Sequence, residues 1–167
     1  QAPQKFRWTW FHFALRRMTH LTTFKNDENW VAKKLQVPVK QIKRAMQDLF
    51  LMGGLAVEND KMKAPHNLVI DWTSQPSNRK KMGRDLYKKI EKSVLRFDRE
   101  TTYHANHFFT LNKDQIQQVI KLIKSFEDQV DDLTYQNQVH DDLYYLNLNL
   151  FSLLYENTDQ EKSFSDK

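Results

Sequence analysis

Seven polar side chains in two short stretches have the types and spacing that nucleic acid demands: Lys40, Gln41, Lys43, Arg44 and Gln47, then Lys61 and Lys63. Lys and Arg neutralise phosphates, and the two-ended amide of Gln can pair with the edge of adenine. Ile42, Ala45, Met46 and Leu49 recur among the first five at helical spacing and form a stripe that must be buried. That stripe leaves Lys40, Arg44 and Gln47 on the opposite face of a helix, with Lys43 beside it. Asp48, Glu58 and Asp60 lie close in sequence and moderate the charge, and a Lys/Arg/Gln face is also what an ordinary solvated helix shows.

Other chemistry finds little support. The chain has no cysteine, which removes disulfides, thiolate zinc sites and a cysteine nucleophile. Its three glycines, Gly53, Gly54 and Gly83, cannot build a phosphate-cradling loop or a dinucleotide fingerprint. His104 and His107 stand an odd number of residues apart in an alternating segment, so a strand would send them to opposite faces, with no carboxylate close in sequence to complete a metal shell. His140 beside Asp141 and Asp142 reads as a polar turn, and His12 between Phe11 and Phe13 as a hydrogen-bonded structural histidine. No nucleophile elbow or paired acidic motif is present. The expectation is a non-enzyme without catalytic, metal or cofactor residues.

The elements that must carry the basic residues follow from periodicity and punctuation. Phe11, Leu15 and Met18 define an amphipathic first helix over about 8–21. Asn26 and Asp27 offer caps to a short second helix bearing Trp30, Val31 and Leu35, which stops at Val37-Pro38. Pro38 suits the start of a third helix that ends at Gly53-Gly54. Leu55-Ala-Val57, the turn Glu58-Asn-Asp-Lys61 and a run to Leu68-Val-Ile70 then fit a β-hairpin with Lys61 and Lys63 near its tip. Three helices and a hairpin is the winged-helix order, in which the third helix can enter a major groove while the hairpin lies along the backbone. Winged helices also dock proteins, so a non-DNA interaction or scaffold module is the alternative.

Thr73–Ser77 is polar, contains proline and reads as a linker. A basic helix follows, with Leu86, Ile90, Val94 and Phe97 as its apolar stripe and Gly83 as a weak point. From Thr101 the period changes to two, through Tyr103, Ala105, His107, Phe109 and Leu111, which predicts a strand. Asn112 and Gln115 resemble a capping box before a helix of about six turns carrying Ile116, Val119, Ile120, Ile123, Phe126 and Val130. Leu143–Leu154 again alternates and predicts a second strand. Strand, helix and strand make a β-α-β unit with parallel strands and a right-handed crossover. Two strands alone expose both edges, so completion of the sheet by a second subunit, a homodimer, or by the hairpin region is expected.

Charge is unevenly distributed along the 167 residues. Residues 1–75 hold 12 Lys and Arg against 6 Asp and Glu, residues 76–125 hold 12 against 5, and the last 42 hold 2 against 10. The overall +5 therefore conceals a basic body and an acidic end. No apolar run approaches a membrane span, so a soluble chain without membrane partners is expected. The fold class is α+β. The expected domains are a winged helix over 1–72, an α-β-α-β dimerisation or sensing module over 73–155 and a mobile acidic tail over 156–167. Gln1 in place of Met suggests a fragment or a processed form.

Several short motifs, in order, carry a resemblance. They are Trp10-Phe-His12 with Ala14-Leu-Arg16, Asn29-Trp-Val-Ala-Lys-Lys-Leu35, and Ile42-Lys-Arg-Ala-Met-Gln-Asp-Leu49 leading to Gly53-Gly-Leu55. Later come Asp98-Arg-Glu100, the helix containing Phe126, and Leu143-Tyr-Tyr-Leu-Asn-Leu-Asn-Leu-Phe151. Over nearly its whole length the chain resembles a bacterial family with a domain of unknown function whose members read as winged-helix transcriptional regulators. Ser152 stands where the family has proline, and Asn59-Asp-Lys61 replaces the usual glycine-containing turn. The resemblance implies a cytoplasmic regulator with a further helix-turn-helix domain upstream. It also implies that the present region binds DNA or positions that upstream reader, dimerising through its second half.

Overall fold

A computed structural model describes residues 7–65, 76–95, 100–136 and 139–154. The first of these stretches folds as helices α1 (Trp10–Met18), α2 (Glu28–Leu35) and α3 (Val39–Leu51), then strands β1 (Ala56–Glu58) and β2 (Lys61–Lys63). The chain is thus mixed α+β, three helices and an antiparallel hairpin coming first. The expected tail over 156–167 and the hairpin's extension to Leu68–Ile70 lie outside the described residues.

Local chemistry sets the boundaries. Helix α1 is shorter than its apolar pattern suggests, because Thr19 turns its hydroxyl back onto the Arg16 carbonyl at 2.7 Å and the chain leaves through Thr19 and His20. Asp27 caps α2, its carboxylate accepting from the N–H groups of Asn29 at 2.7 Å and Trp30 at 3.3 Å. Gln36, left-handed at φ 55°, closes that helix. Pro38 is the residue before α3 rather than its first turn. At the far end Gly53 takes φ +69°, Gly54 N–H reaches the Leu49 carbonyl at 2.7 Å and Gly53 N–H the Phe50 carbonyl at 3.2 Å. These bonds form a Schellman stop, and the left-handed position inside it is one that glycine adopts without a Cβ penalty.

Asn59 and Asp60 both have positive φ, 51° and 59°, which is the two-residue turn whose twist suits a hairpin. They set the register Ala56 to Lys63, Val57 to Met62 and Glu58 to Lys61. Met62 alone of the β2 residues points into the core. That core holds Leu15, Val31, Ile42 and Leu49 at its centre, with Phe11 and Met18 from α1 around them. Removing such side chains from water is the main source of stability for this half.

The second half is built differently. Helix α4 (Pro76–Leu95) already begins at Pro76, inside the expected linker, and proline suits a first helical position. Its Met82 is buried, and the Lys89 ammonium sits 4.0 Å from the centre of the Trp10 ring, tying α4 to α1. Helix α5 (Lys113–Gln136) starts with the expected reciprocal cap: Gln115 N–H donates to Asn112 Oδ1 at 2.9 Å, and Asn112 N–H to Gln115 Oε1 at 3.0 Å. Despite its apolar stripe, α5 buries no residue.

The β-α-β expectation needs correction. The segments before and after α5 are not assigned as strands, and among the described residues the hairpin is the only sheet. Alternation marks side chains that suit a strand, but a ladder requires a second edge, and these two segments do not supply one to each other. Residues 139–154 are held elsewhere. Thr22 N–H donates to the His140 carbonyl at 3.0 Å, Leu143 packs on the core, and the Tyr87 hydroxyl on α4 donates to Asn149 Oδ1 at 3.2 Å.

Candidate nucleic-acid interface

Helix α3 separates its two kinds of residue. Ile42, Ala45, Met46 and Leu49 are buried, whereas Lys40, Gln41, Lys43, Arg44 and Gln47 are all exposed. Lys61 and Lys63 are exposed at the start and end of β2, beside the turn. All seven candidates are therefore available to a partner.

Their electrostatic states differ. Lys43 Nζ lies 2.7 Å from Glu28 Oε1 of α2, and Lys63 Nζ lies 2.9 Å from Glu58 Oε2 across the hairpin. Lys40, Arg44 and Lys61 make no ion pair with any described residue. Exposed ion pairs are worth about 0–1 kcal/mol, so a phosphate can displace either glutamate at little cost.

Two residues outside the predicted set position this surface. Arg16 of α1 donates from Nε to the Gly54 carbonyl at 3.2 Å and from Nη2 to the Pro65 carbonyl at 2.7 Å. One guanidinium thus holds the chain entering the hairpin and the chain leaving it, and burial with the neighbouring Arg17 charge pushes its pKa down. His12, buried in α1, accepts at Nδ1 from the Thr9 N–H at 3.1 Å. An amide can only donate, so Nδ1 is unprotonated and Nε2 carries the proton, facing Asp48 Oδ2 of α3 at 3.6 Å. Burial pushes the His12 pKa below its ordinary 6.5, against the opposing pull of Asp48. His12 therefore belongs to the core, linking the start of α1 to the inner side of α3.

No local signal marks Arg16 or the His12–Asp48 pair, since their partners lie 36 to 49 positions away in sequence. The other described histidines lie apart from this pair. His104 Nε2 lies 3.4 Å from Ser93 Oγ, the His107 ring meets Phe109, and the His140 ring meets His20 with centroids 6.3 Å apart. Among the described residues no group of three His, Asp or Glu side chains could hold a metal ion, and no helix is long and apolar enough to cross a membrane.

No curated protein and no solved structure matches the chain. A family model does match, over residues 4–153, and spans both the hairpin-bearing half and the half built on α4 and α5. The chain belongs to the family described as Domain of unknown function (DUF4423).

Proposed function

We propose that the first half is a winged helix that grips duplex DNA through the outer face of α3 and the hairpin, and that the chain serves a transcriptional regulator that works as a homodimer. The observation that carries this reading is the division of α3, whose inner face is fully used by the core while its outer face presents Lys40, Arg44 and Gln47 to solvent. Lysine and arginine supply phosphate contacts, and Gln41 and Gln47 are the side chains able to read adenine. Arg16 supports the reading by holding both ends of the hairpin, so that Lys61 and Lys63 sit on an anchored element. The excess of 12 basic over 6 acidic residues in positions 1–75 supplies the long-range attraction.

The test is binding of the whole chain to a labelled random duplex, read by fluorescence anisotropy across a salt series. Replacing Lys40, Lys43 and Arg44 together by Ala removes three phosphate contacts, so the slope of log K against log salt should flatten by about 2.7. An unchanged slope contradicts this placement of the interface. A chain that captures a protein partner but no DNA at low salt favours the docking-module alternative.

A further inference from the structure

The last extended segment faces the wrong way for a lone chain. Its Asn147 is half-buried, and Asn149, itself exposed, accepts from the Tyr87 hydroxyl of α4. Its alternate residues Tyr144, Leu146, Leu148 and Leu150 turn outward and remain 67%, 51%, 41% and 38% exposed. Between Tyr144 and Phe151 no backbone N–H or carbonyl is hydrogen-bonded to another described residue. The result is an apolar face together with an unused strand edge, arranged as for pairing.

The same half leaves far more apolar surface bare. Of the 24 large hydrophobic residues that are exposed among the described residues, 18 lie beyond residue 100. Eight of these are aromatic, Phe108, Phe126, Tyr144 and Phe151 among them. At roughly half of the 150–250 Å² that an aromatic side chain can bury, they alone offer on the order of 800 Å² per copy, the share one partner contributes to a stable interface. Helix α5 adds a stripe none of whose residues is buried, Ile116, Leu122, Phe126 and Leu133 being exposed.

Charge identifies the occupant. The outer face of α4 carries Lys80, Lys81, Arg84, Lys88 and Lys92, and the end of α5, beyond Lys113, Lys121 and Lys124, carries Glu127, Asp128, Asp131 and Asp132, none of these nine in an ion pair with a described residue. A basic helix face and an acidic helix end that leave each other unpaired within one chain are complementary between two chains related by a two-fold axis.

We infer that a second copy of this chain covers this half: residues 143–151 pair antiparallel with the same residues of the partner, and the α5 stripes close over the resulting apolar ribbon. A segment pairing with its own copy across a two-fold axis must run antiparallel, which makes the arrangement specific. The inference deepens the homodimer part of the proposed function and rests on it. It is read without DNA, so its failure leaves the α3 interface standing, and failure of DNA binding leaves the dimer standing.

The test uses the whole chain. Light scattering from about 1 to 100 µM should give twice the chain mass, and the Leu146→Asp, Leu148→Asp double variant should give the single mass while keeping the thermal transition of the first half. Because the chain has no cysteine, single substitutions from Tyr144→Cys through Leu150→Cys report pairing directly. Under oxidation, at least one position near the axis should form a disulfide between copies. A single-chain mass at 100 µM overturns the inference, as does a dimer that survives the double variant and cross-links at none of these positions. Slow amide exchange in 143–151 of a monomer, lost when 156–167 are deleted, overturns it too and assigns the face to the chain's own end.

Discussion

His12 makes one residue a reporter on the core. Its fold requires an unprotonated Nδ1, since the Thr9 N–H already points there. A lowered folded pKa means the unfolded chain binds the proton more readily, so the stabilisation from neutral His12 is complete above 6.5 and is lost as pH falls from 6.5 toward the folded value. The urea midpoint should therefore drop between pH 7 and pH 5.5. His12→Gln should flatten that drop, because the Gln amide oxygen can accept the Thr9 N–H without titrating. An equal drop in both proteins would place the pH dependence elsewhere. Arg16 is the second such residue. Arg16→Ala removes two charge-assisted bonds to backbone carbonyls in a partly exposed setting, and should cost about 1–2 kcal/mol in chemical denaturation, with faster amide exchange in β1 and β2 than in α3. What was legible at this scale was local. Asp27 as a cap and Asn112 with Gln115 as a capping box are readable because cap and capped groups lie within three positions. Arg16 and the Asp48 partner of His12 escaped because those contacts join separate elements brought near only by folding, whereas His12 itself reads from sequence as a hydrogen-bonded structural histidine.

At the scale of elements, helices were legible and sheet pairing was not, for one physical reason. A helix closes its hydrogen bonds within four residues, so apolar period, caps and stops suffice to place α1, α2, α3 and α5. A strand closes them on another segment. The hairpin was readable because its partner is two turn residues away, Asn59 and Asp60, whereas the alternating segments at 101–111 and 143–154 name no partner. The glycines separate the two ways backbone freedom is used. Gly83 lies within α4 with open space where a Cβ would go, so Gly83→Ala should stabilise that helix by about 0.5–1 kcal/mol, visible as a higher melting temperature. Gly53, at φ +69°, has open space as well, yet its left-handed backbone penalises any side chain, so Gly53→Ala should cost about 1–2 kcal/mol. Melting shifts of the same sign in the two variants would contradict the Schellman stop at the end of α3.

For the whole molecule, the two halves differ in what they bury. Residues 7–65 enclose a core around Leu15, Val31, Ile42 and Leu49, while α5 buries no residue and most large apolar side chains of residues 143–154 are exposed. Leu49→Ala should accordingly unfold the first half at a cost of about 2–5 kcal/mol in denaturation, while Leu122→Ala on α5, already 70% exposed, should leave that transition in place. Residues 1–75 hold 12 basic against 6 acidic residues, and α3 within them presents Lys40, Arg44 and Gln47 on its exposed outer face. The central claim is that this face binds duplex DNA, and the measurement that reaches it most directly is the salt dependence of that binding in the unaltered chain. Five cations, Lys40, Lys43, Arg44, Lys61 and Lys63, predict a slope near −4.5 for each bound copy, hence an affinity loss of roughly 500-fold between 50 and 200 mM salt. Absence of binding at 50 mM, or an affinity that does not change across that range, would contradict the account.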